Sequence, residues 1–263
     1  MVHGAHTATL NYNAAMIRFA RVPALLAAAC CAWLSGALTP SLAEERAGIL
    51  RVAVAANFRG AAQALARRFE AQSGASVLIS SASTGVLAAQ IRRGAPFDLL
   101  LAADAQRPAR LHRDGFAASA GACYARGSLV LLGAQNIDSA LANADLSLAL
   151  ANPRSAPYGA AALAVLARPG FAGPDQRRLV MGGNVQQAAQ FFAQGGADLA
   201  LVARAVARGQ GLPIPPAWHP AIEQHALVLS ASRQPALARS FQRFITGAAG
   251  RAQILSFGYR ACS

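Results

Sequence analysis

The feature that most constrains this chain is a repeated switch between two hydrophobic periods. Short apolar runs of strand length are each followed by a segment with helical periodicity. Residues 49–56 (ILRVAVAA) are the first such run; Asn57 ends it, and 58–72 (FRGAAQALARRFEAQ) reads as a helix that Gly74 stops. Residues 76–81 predict a second strand, Ser83-Thr84-Gly85 a turn, 86–93 a helix stopped by Gly94, and 97–102 a third strand. Asp104 is placed to cap the helix that carries Arg107 to Arg113 and ends at Gly115. After a break the alternation resumes, with strands at 129–132, 146–151, 179–181 and 198–203 and helices at 158–167 and 185–194. Residues 209–220 hold four prolines and read as a surface connection, before a strand at 222–230 and helices at 235–246 and 248–257. This alternation predicts an α/β fold, parallel sheets with helices on both faces.

The first residues follow a different pattern. Residues 1–15 carry no charge; from Met16, two arginines (Arg18, Arg21) precede an apolar stretch over 22–38 and then Thr39-Pro40-Ser41-Leu42-Ala43. A basic region, an apolar region and a small-residue cleavage site describe a secretory signal peptide, with Met16 as the start and cleavage after Ala43. The apolar stretch falls short of the ~20 residues a membrane span needs, and Pro40 breaks it. Cys30 lacks the aliphatic residue upstream that a lipoprotein site would carry. Export leaves two cysteines, Cys123 and Cys262, which are compatible with one disulfide or with two buried thiols. Two distant cysteines without clustered histidines do not make a metal site.

Charge sets a second constraint. The 263 residues carry 24 basic residues, all arginine, against 11 acids; without residues 1–43 the balance falls from +13 to +11. A basic excess points to anionic partners. Arg67-Arg68, Arg92-Arg93 and Arg177-Arg178 are spread over separate helices instead of one stripe, and aromatics make up only 6% of the chain, so nucleic acid is not the expected partner. The arginines are read as keeping an alanine-rich protein soluble and drawing anions at long range. No G-x-S-x-G, P-loop or H-E-x-x-H motif is present. His112, His219 and His225 are scattered, and the enzyme alternative rests on Cys123 alone.

The candidate chemistry lies at four junctions where a strand or loop runs into a helix: Asn57, Ser83-Thr84, Pro157-Tyr158-Gly159 and Gly183-Asn184-Val185. Helix N-termini leave backbone N–H groups without intrahelical partners and carry the positive end of the helix dipole, so several facing one crevice make an uncharged anion site. Asp98, Asp104 and Asp198 lie near strand ends and are read as braces.

The ordered segments around these junctions resemble a family. Val52-Ala-Val-Ala-Ala-Asn57-Phe58, Ile79-Ser-Ser-Ala-Ser-Thr84-Gly85, Gly94-Ala-Pro-Phe-Asp98, Asn152-Pro-Arg-Ser-Ala-Pro-Tyr158-Gly159, Gly183-Asn184-Val185 and Gly196-Ala-Asp-Leu-Ala-Leu-Val202 resemble the periplasmic molybdate-binding proteins of ABC importers, from about residue 50 onward. The resemblance implies a two-lobed periplasmic-binding-protein-like fold, each lobe a mostly parallel sheet flanked by helices, with the ligand cleft between them. It implies lobe I over 44–126 and 231–263, and lobe II over 127–230. It further implies a periplasmic, monomeric binding protein without catalytic residues or cofactor, whose partners are molybdate or tungstate and an inner-membrane ABC permease. Molybdenum would be held only as its oxyanion, with no direct metal ligand. The implied contacts are Asn57, Ser83, Thr84, Tyr158 and Val185, supported by Ala56, Gly159 and Asn184. Some members place a tyrosine after the strand that here ends at Val202; Ala203 stands there instead, and Tyr158 is expected to supply that donor. Another small anion such as sulfate is the alternative ligand.

Overall fold

The computed structural model describes residues 48–262; the expected leader and cleavage site, with Cys30, lie outside the described residues. The first sheet is built from β1 (Ile49–Ala55), β2 (Ser76–Ala82), β3 (Leu99–Leu101) and β4 (Ala122–Gly127). Between them run a single 3-10 turn (Ala56–Phe58) and helices α1 (Arg59–Ser73), α2 (Thr84–Arg92) and α3 (Gln106–Arg113). The second sheet contains β5 (Leu129–Leu132), β6 (Leu148–Ala151), β7 (Leu179–Gly182), β8 (Leu199–Ala203) and β9 (Leu212–Pro213), with α4 (Ile137–Ala142), α5 (Pro157–Leu166) and α6 (Val185–Ala193). The chain then returns through β10 (Ile222–Val228), α7 (Pro235–Thr246) and α8 (Ala248–Ser256).

Strand order is β2-β1-β3-β10-β4 in one sheet and β7-β6-β8-β5-β9 in the other. Both sheets are mixed. β1 pairs parallel with β2 and β3, whereas β10 runs antiparallel to β3 and β4. In the second sheet β6 pairs parallel with β7 and β8, whereas β5 runs antiparallel to β8 and β9. The antiparallel strands β5 and β10 are those reached directly after a crossing between sheets, with no α-helix in between to reverse the path.

β10 was expected in the second lobe, and its pairing places it in the first sheet. The chain therefore crosses back through the proline-rich segment between β9 and β10, not after residue 230. The outward crossing lies at Gly127-Ser128, between β4 and β5. β4 and α4 were not foreseen. The segment around β4 lacks a β-branched run, and α4 is too short to show a period, although Asn136 caps it by accepting from the Ser139 N–H at 2.9 Å.

Apolar faces explain the layering. On the first sheet, Leu50, Val52 and Val54 meet Leu65, Phe69, Phe241 and Ile245 from α1 and α7. Ala53 and Leu100 face the other way, onto Leu87, Ile91 and Leu111 from α2 and α3. β1 and β3 are covered on both faces, which is why they read as continuous apolar runs. The second sheet has its own core around Leu131, Leu150, Val165, Leu166 and Leu201. Gly74 ends α1 at φ 70°, a conformation that the side chain of any other residue would strain. Asp98 accepts from the backbone N–H groups of Arg51 and Arg233 and from Ser232 Oγ, joining β1 and β3 to the approach of α7. Asp198 accepts from the N–H and hydroxyl of Ser147.

Cys123 and Cys262 form a disulfide, with 6.1 Å between their Cα atoms. It ties the C-terminal tail to β4, where Arg260 also bridges Arg126. With its sulfur in that bond, Cys123 has no thiolate to offer the enzyme alternative. The Arg177-Arg178 pair lies ahead of β7 in a loop, not in a helix. There the buried Arg177 donates to the carbonyls of Leu141, Ala172 and Asn143.

Candidate functional site

Four strand-to-helix junctions meet at one small cavity between the sheets, with a volume of about 10 Å³, the scale of one water-sized sphere. Ala56, Asn57, Ser83 and Thr84 line it from the first sheet, and Tyr158, Asn184 and Val185 from the second. Among the described residues no ionisable side chain other than that of Tyr158 lines it. Gly159 stands behind it: a Cβ there would overlap the Ala151 carbonyl, so glycine lets α5 press its first turn against the end of β6.

The residues differ in what they leave free. Ser83 is only 4% exposed, and its Oγ has no hydrogen-bond partner among the described residues. Thr84 Oγ1 accepts the Ala103 N–H at 3.0 Å and braces the end of β3. Asn184 Oδ1 accepts the N–H groups of Gln186 and Gln187, which caps α6 and leaves Val185 as its first residue. The Asn57 side chain was expected among the ion contacts. Its amide instead donates to Gln224 Oε1 at 2.9 Å and to the Tyr259 hydroxyl at 3.1 Å. Asn57 therefore presents the cavity with a first-turn backbone, and its amide holds neighbours.

Behind the cavity lies a buried polar cluster that sequence reading missed. Gln224 Nε2 donates to the Tyr158 hydroxyl at 3.2 Å, and Gln224 Oε1 also accepts from the Tyr124 hydroxyl at 3.1 Å. The Tyr259 hydroxyl donates to the Asn57 carbonyl at 2.7 Å. Burial pushes the phenols of Tyr124, Tyr158 and Tyr259 well above their ordinary pKa; for Tyr158 the Gln224 hydrogen bond acts weakly the other way. All three are neutral at physiological pH and able to donate. Nothing local marks Gln224, one polar residue in a strand, as buried; only its position against β4 does.

Two further contacts cross between the lobes beside the cavity. The Gly85 N–H donates to the Ser155 carbonyl at 2.8 Å. Arg107, paired with Asp104 at 2.7 Å, donates to the Arg154 carbonyl at 3.1 Å. A Cβ on Gly85 would sit 2.8 Å from that same Ser155 oxygen, so the approach depends on glycine. Asn57 also borders a much wider groove of about 1070 Å³, lined by Arg59, Arg204 and Arg208 and by no carboxylate.

Elsewhere, His112 Nδ1 lies 2.8 Å from the Ala117 carbonyl and His219 Nδ1 2.8 Å from that of Pro220, whereas His225 lies 3.8 Å from Glu223. Among the described residues no group of three or more His, Cys, Asp or Glu side chains could hold a metal ion. Among them, too, no helix is long and apolar enough to cross a membrane. The site's chemistry is that of uncharged donors around a small space, with the dipoles of several helices adding positive potential.

A family described as "Bacterial extracellular solute-binding protein" matches residues 50–260. The molybdate-binding protein ModA of Azotobacter vinelandii is 36% identical over 228 residues, covering 81% of this chain and 90% of that protein. ModA of Rhodobacter capsulatus is 33% identical over 223 residues, covering 81% and 88%. The solved structure of the periplasmic molybdate-binding protein of Azotobacter vinelandii superposes with a TM-score of 0.75 at 33% identity, covering 81% of this chain and all of that one. The chain belongs to the family of bacterial extracellular solute-binding proteins.

Proposed function

We propose that this protein captures molybdate, or its congener tungstate, outside the cytoplasm and delivers it to an ABC importer. The observation that carries the reading is Ser83 Oγ, buried without a partner among the described residues, on a residue that lines the cavity together with Tyr158 and the first turn of α6. A buried hydroxyl without a partner is destabilising by about 1–3 kcal/mol, and an oxyanion supplies the missing acceptor. Hydrogen bonds to an ion are stronger than neutral ones, so a few such donors can replace the water around a dianion. Family membership supports binding over catalysis, and the two relatives are named for molybdate. The leader expected over 16–43 supports a periplasmic location. A monomer presenting both lobes to a permease is the matching assembly.

A thermal-shift and calorimetric series with molybdate, tungstate, sulfate and phosphate tests the reading. Molybdate at about 1,000 times its dissociation constant should add about 4 kcal/mol of stability. Stabilisation by sulfate with none from molybdate or tungstate would select the sulfate alternative. No response to any of the four would reject an oxyanion site.

A further inference from the structure

From Tyr259 through Asn57 and Gln224 to Tyr158, the hydrogen bonds behind the cavity have one consistent polarity, and it starts from a backbone carbonyl. The Asn57 carbonyl can only accept, so the Tyr259 hydroxyl donates to it, at 2.7 Å. With its proton committed there, the Tyr259 oxygen faces Asn57 as an acceptor, and the Asn57 side chain must turn its NH2 toward it, at 3.1 Å. The same NH2 reaches Gln224 at 2.9 Å, so Gln224 presents its carbonyl on that side, where it shares the Tyr124 hydroxyl proton with the Ala102 carbonyl, at 3.1 and 3.2 Å. The amide end of Gln224 is then left for Tyr158, at 3.2 Å. A hydroxyl whose lone pair receives an N–H keeps its own proton for another partner, and Tyr158 is one of the residues that line the cavity.

The fold holds this arrangement tightly. Gln224 is fully buried, and the register of β10 slips from Gln224–Ala125 to His225–Cys123, leaving Tyr124 as the extra residue of a bulge. Gly127 closes the slot, since a Cβ on it would overlap the Tyr158 hydroxyl and lie 3.0 Å from Gln224 Nε2. Gln224 belongs to the first sheet and Tyr158 to the second, so the bond exists only when the lobes approach.

We infer that Gln224 is a positioning residue that fixes the Tyr158 hydroxyl as a donor into the cavity and thereby sets the site against oxyanions that carry a proton. This rests on the oxyanion reading of the same cavity. A fully deprotonated oxyanion gains a hydrogen bond from Tyr158. A hydrogen phosphate or hydrogen arsenate brings a hydroxyl that needs an acceptor, and with one lone pair held by Gln224 and the other conjugated with the ring, Tyr158 is a poor one. Removing that hold lets the phenol turn and accept, so affinity for the deprotonated ion should fall while discrimination against the protonated one weakens.

The test is calorimetry with molybdate and inorganic phosphate on the unmutated protein, Gln224→Met, Tyr158→Phe and the double variant, with thermal melting to confirm folding. Gln224→Met should weaken molybdate binding about 10-fold and narrow the molybdate-to-phosphate ratio by a similar factor. Added to Tyr158→Phe, it should weaken molybdate binding no further, because the hydroxyl it positions is gone. Gln224→Glu is the second variant, and it keeps the acceptor for Asn57 and Tyr124. When ionised it has no hydrogen for Tyr158, and when protonated it has one, so its molybdate affinity should rise as pH falls while that of the unmutated protein stays level. The titratable groups facing position 224 are the phenols of Tyr124 and Tyr158, with Tyr259 beyond Asn57. Glu223, His225 and Arg126, on β10 and β4, are engaged with one another. Additive losses in the double variant, or an unchanged molybdate-to-phosphate ratio, overturn the inference while leaving the functional reading intact. Absence of molybdate, tungstate and sulfate binding by the unmutated protein overturns both.

Discussion

Gly127 and Tyr158 stand so close that a Cβ on residue 127 would overlap the phenolic oxygen. The glycine is the last residue of β4, where the chain leaves the first sheet, and the tyrosine lies in the first turn of α5 in the second. The outward crossing therefore touches a cavity-lining side chain directly, and a change in the hinge is felt in the cage.

Gly127→Ala should accordingly push Tyr158 from Gln224 and from the cavity. Overpacking of this kind typically destabilises by about 1–3 kcal/mol. Molybdate affinity should drop at least about 10-fold in calorimetry. Unchanged affinity would show that Tyr158 is not an ion contact.

Ser83→Ala should separate stability from binding. Its Oγ has no partner among the described residues, so the alanine variant should melt at or above the temperature of the unmutated protein without ligand. Its molybdate affinity should fall by about 1.5–3 kcal/mol, the range for a hydrogen bond to a charged group. Tyr158→Phe should show a comparable loss of affinity. Ser83→Ala binding like the unmutated protein would remove Ser83 from the site.

The pH profile follows from the direction of each shift. Asp198 is held below the ordinary carboxylate range by the Ser147 hydroxyl and N–H, and Glu223 by Arg126. Each contributes stability that is present above its unfolded value of ~4 and is lost as pH falls through its lower folded value. The buried tyrosines are shifted upward, so their contribution is full below the unfolded value of ~10 and fades as pH rises beyond it. Chemical denaturation across pH should give a plateau from about pH 5 to about pH 9 with a decline on either side. Molybdate affinity should stay level between about pH 7 and about pH 9, because Tyr158 keeps its proton; a decline there would contradict a neutral donor.

The disulfide joins residues 139 positions apart, so it restricts the unfolded chain strongly. Cys123→Ser with Cys262→Ser, or reduction of the native protein, should lower stability by about 2–5 kcal/mol in a denaturant melt. The tail it anchors carries Tyr259, whose hydroxyl bonds Asn57, so molybdate affinity should weaken as well. An unchanged melt would mean that the tail is held by its other contacts alone.

The groove with Arg59, Arg204 and Arg208 belongs to kinetics. Replacing all three with Gln should slow molybdate association about 3- to 10-fold at low salt and flatten its salt dependence, with release unchanged in stopped-flow mixing. An equal slowing at all salt concentrations would point to a shape effect instead of steering.

The four junctions at Asn57, Ser83, Pro157-Tyr158 and Asn184-Val185 were legible from sequence because each is a local event. An apolar run stops, a capping or turn residue follows, and a helical period begins, all within a few residues of chain. The crossing that brings β10 into the first sheet, the division of labour between Ser83 and Thr84, and the use of the Asn57 amide are of another kind. They depend on which groups meet over separations of 19 to 202 residues, as with Thr84 and Ala103 or Asn57 and Tyr259. No local period encodes such meetings, since a glutamine in a strand looks the same whether it faces water or two tyrosines. Sequence alone determined that helix ends would be available to a small anion. Tertiary structure decided which donors remain unclaimed there, because a hydrogen bond already made inside the protein cannot also be offered to the ion.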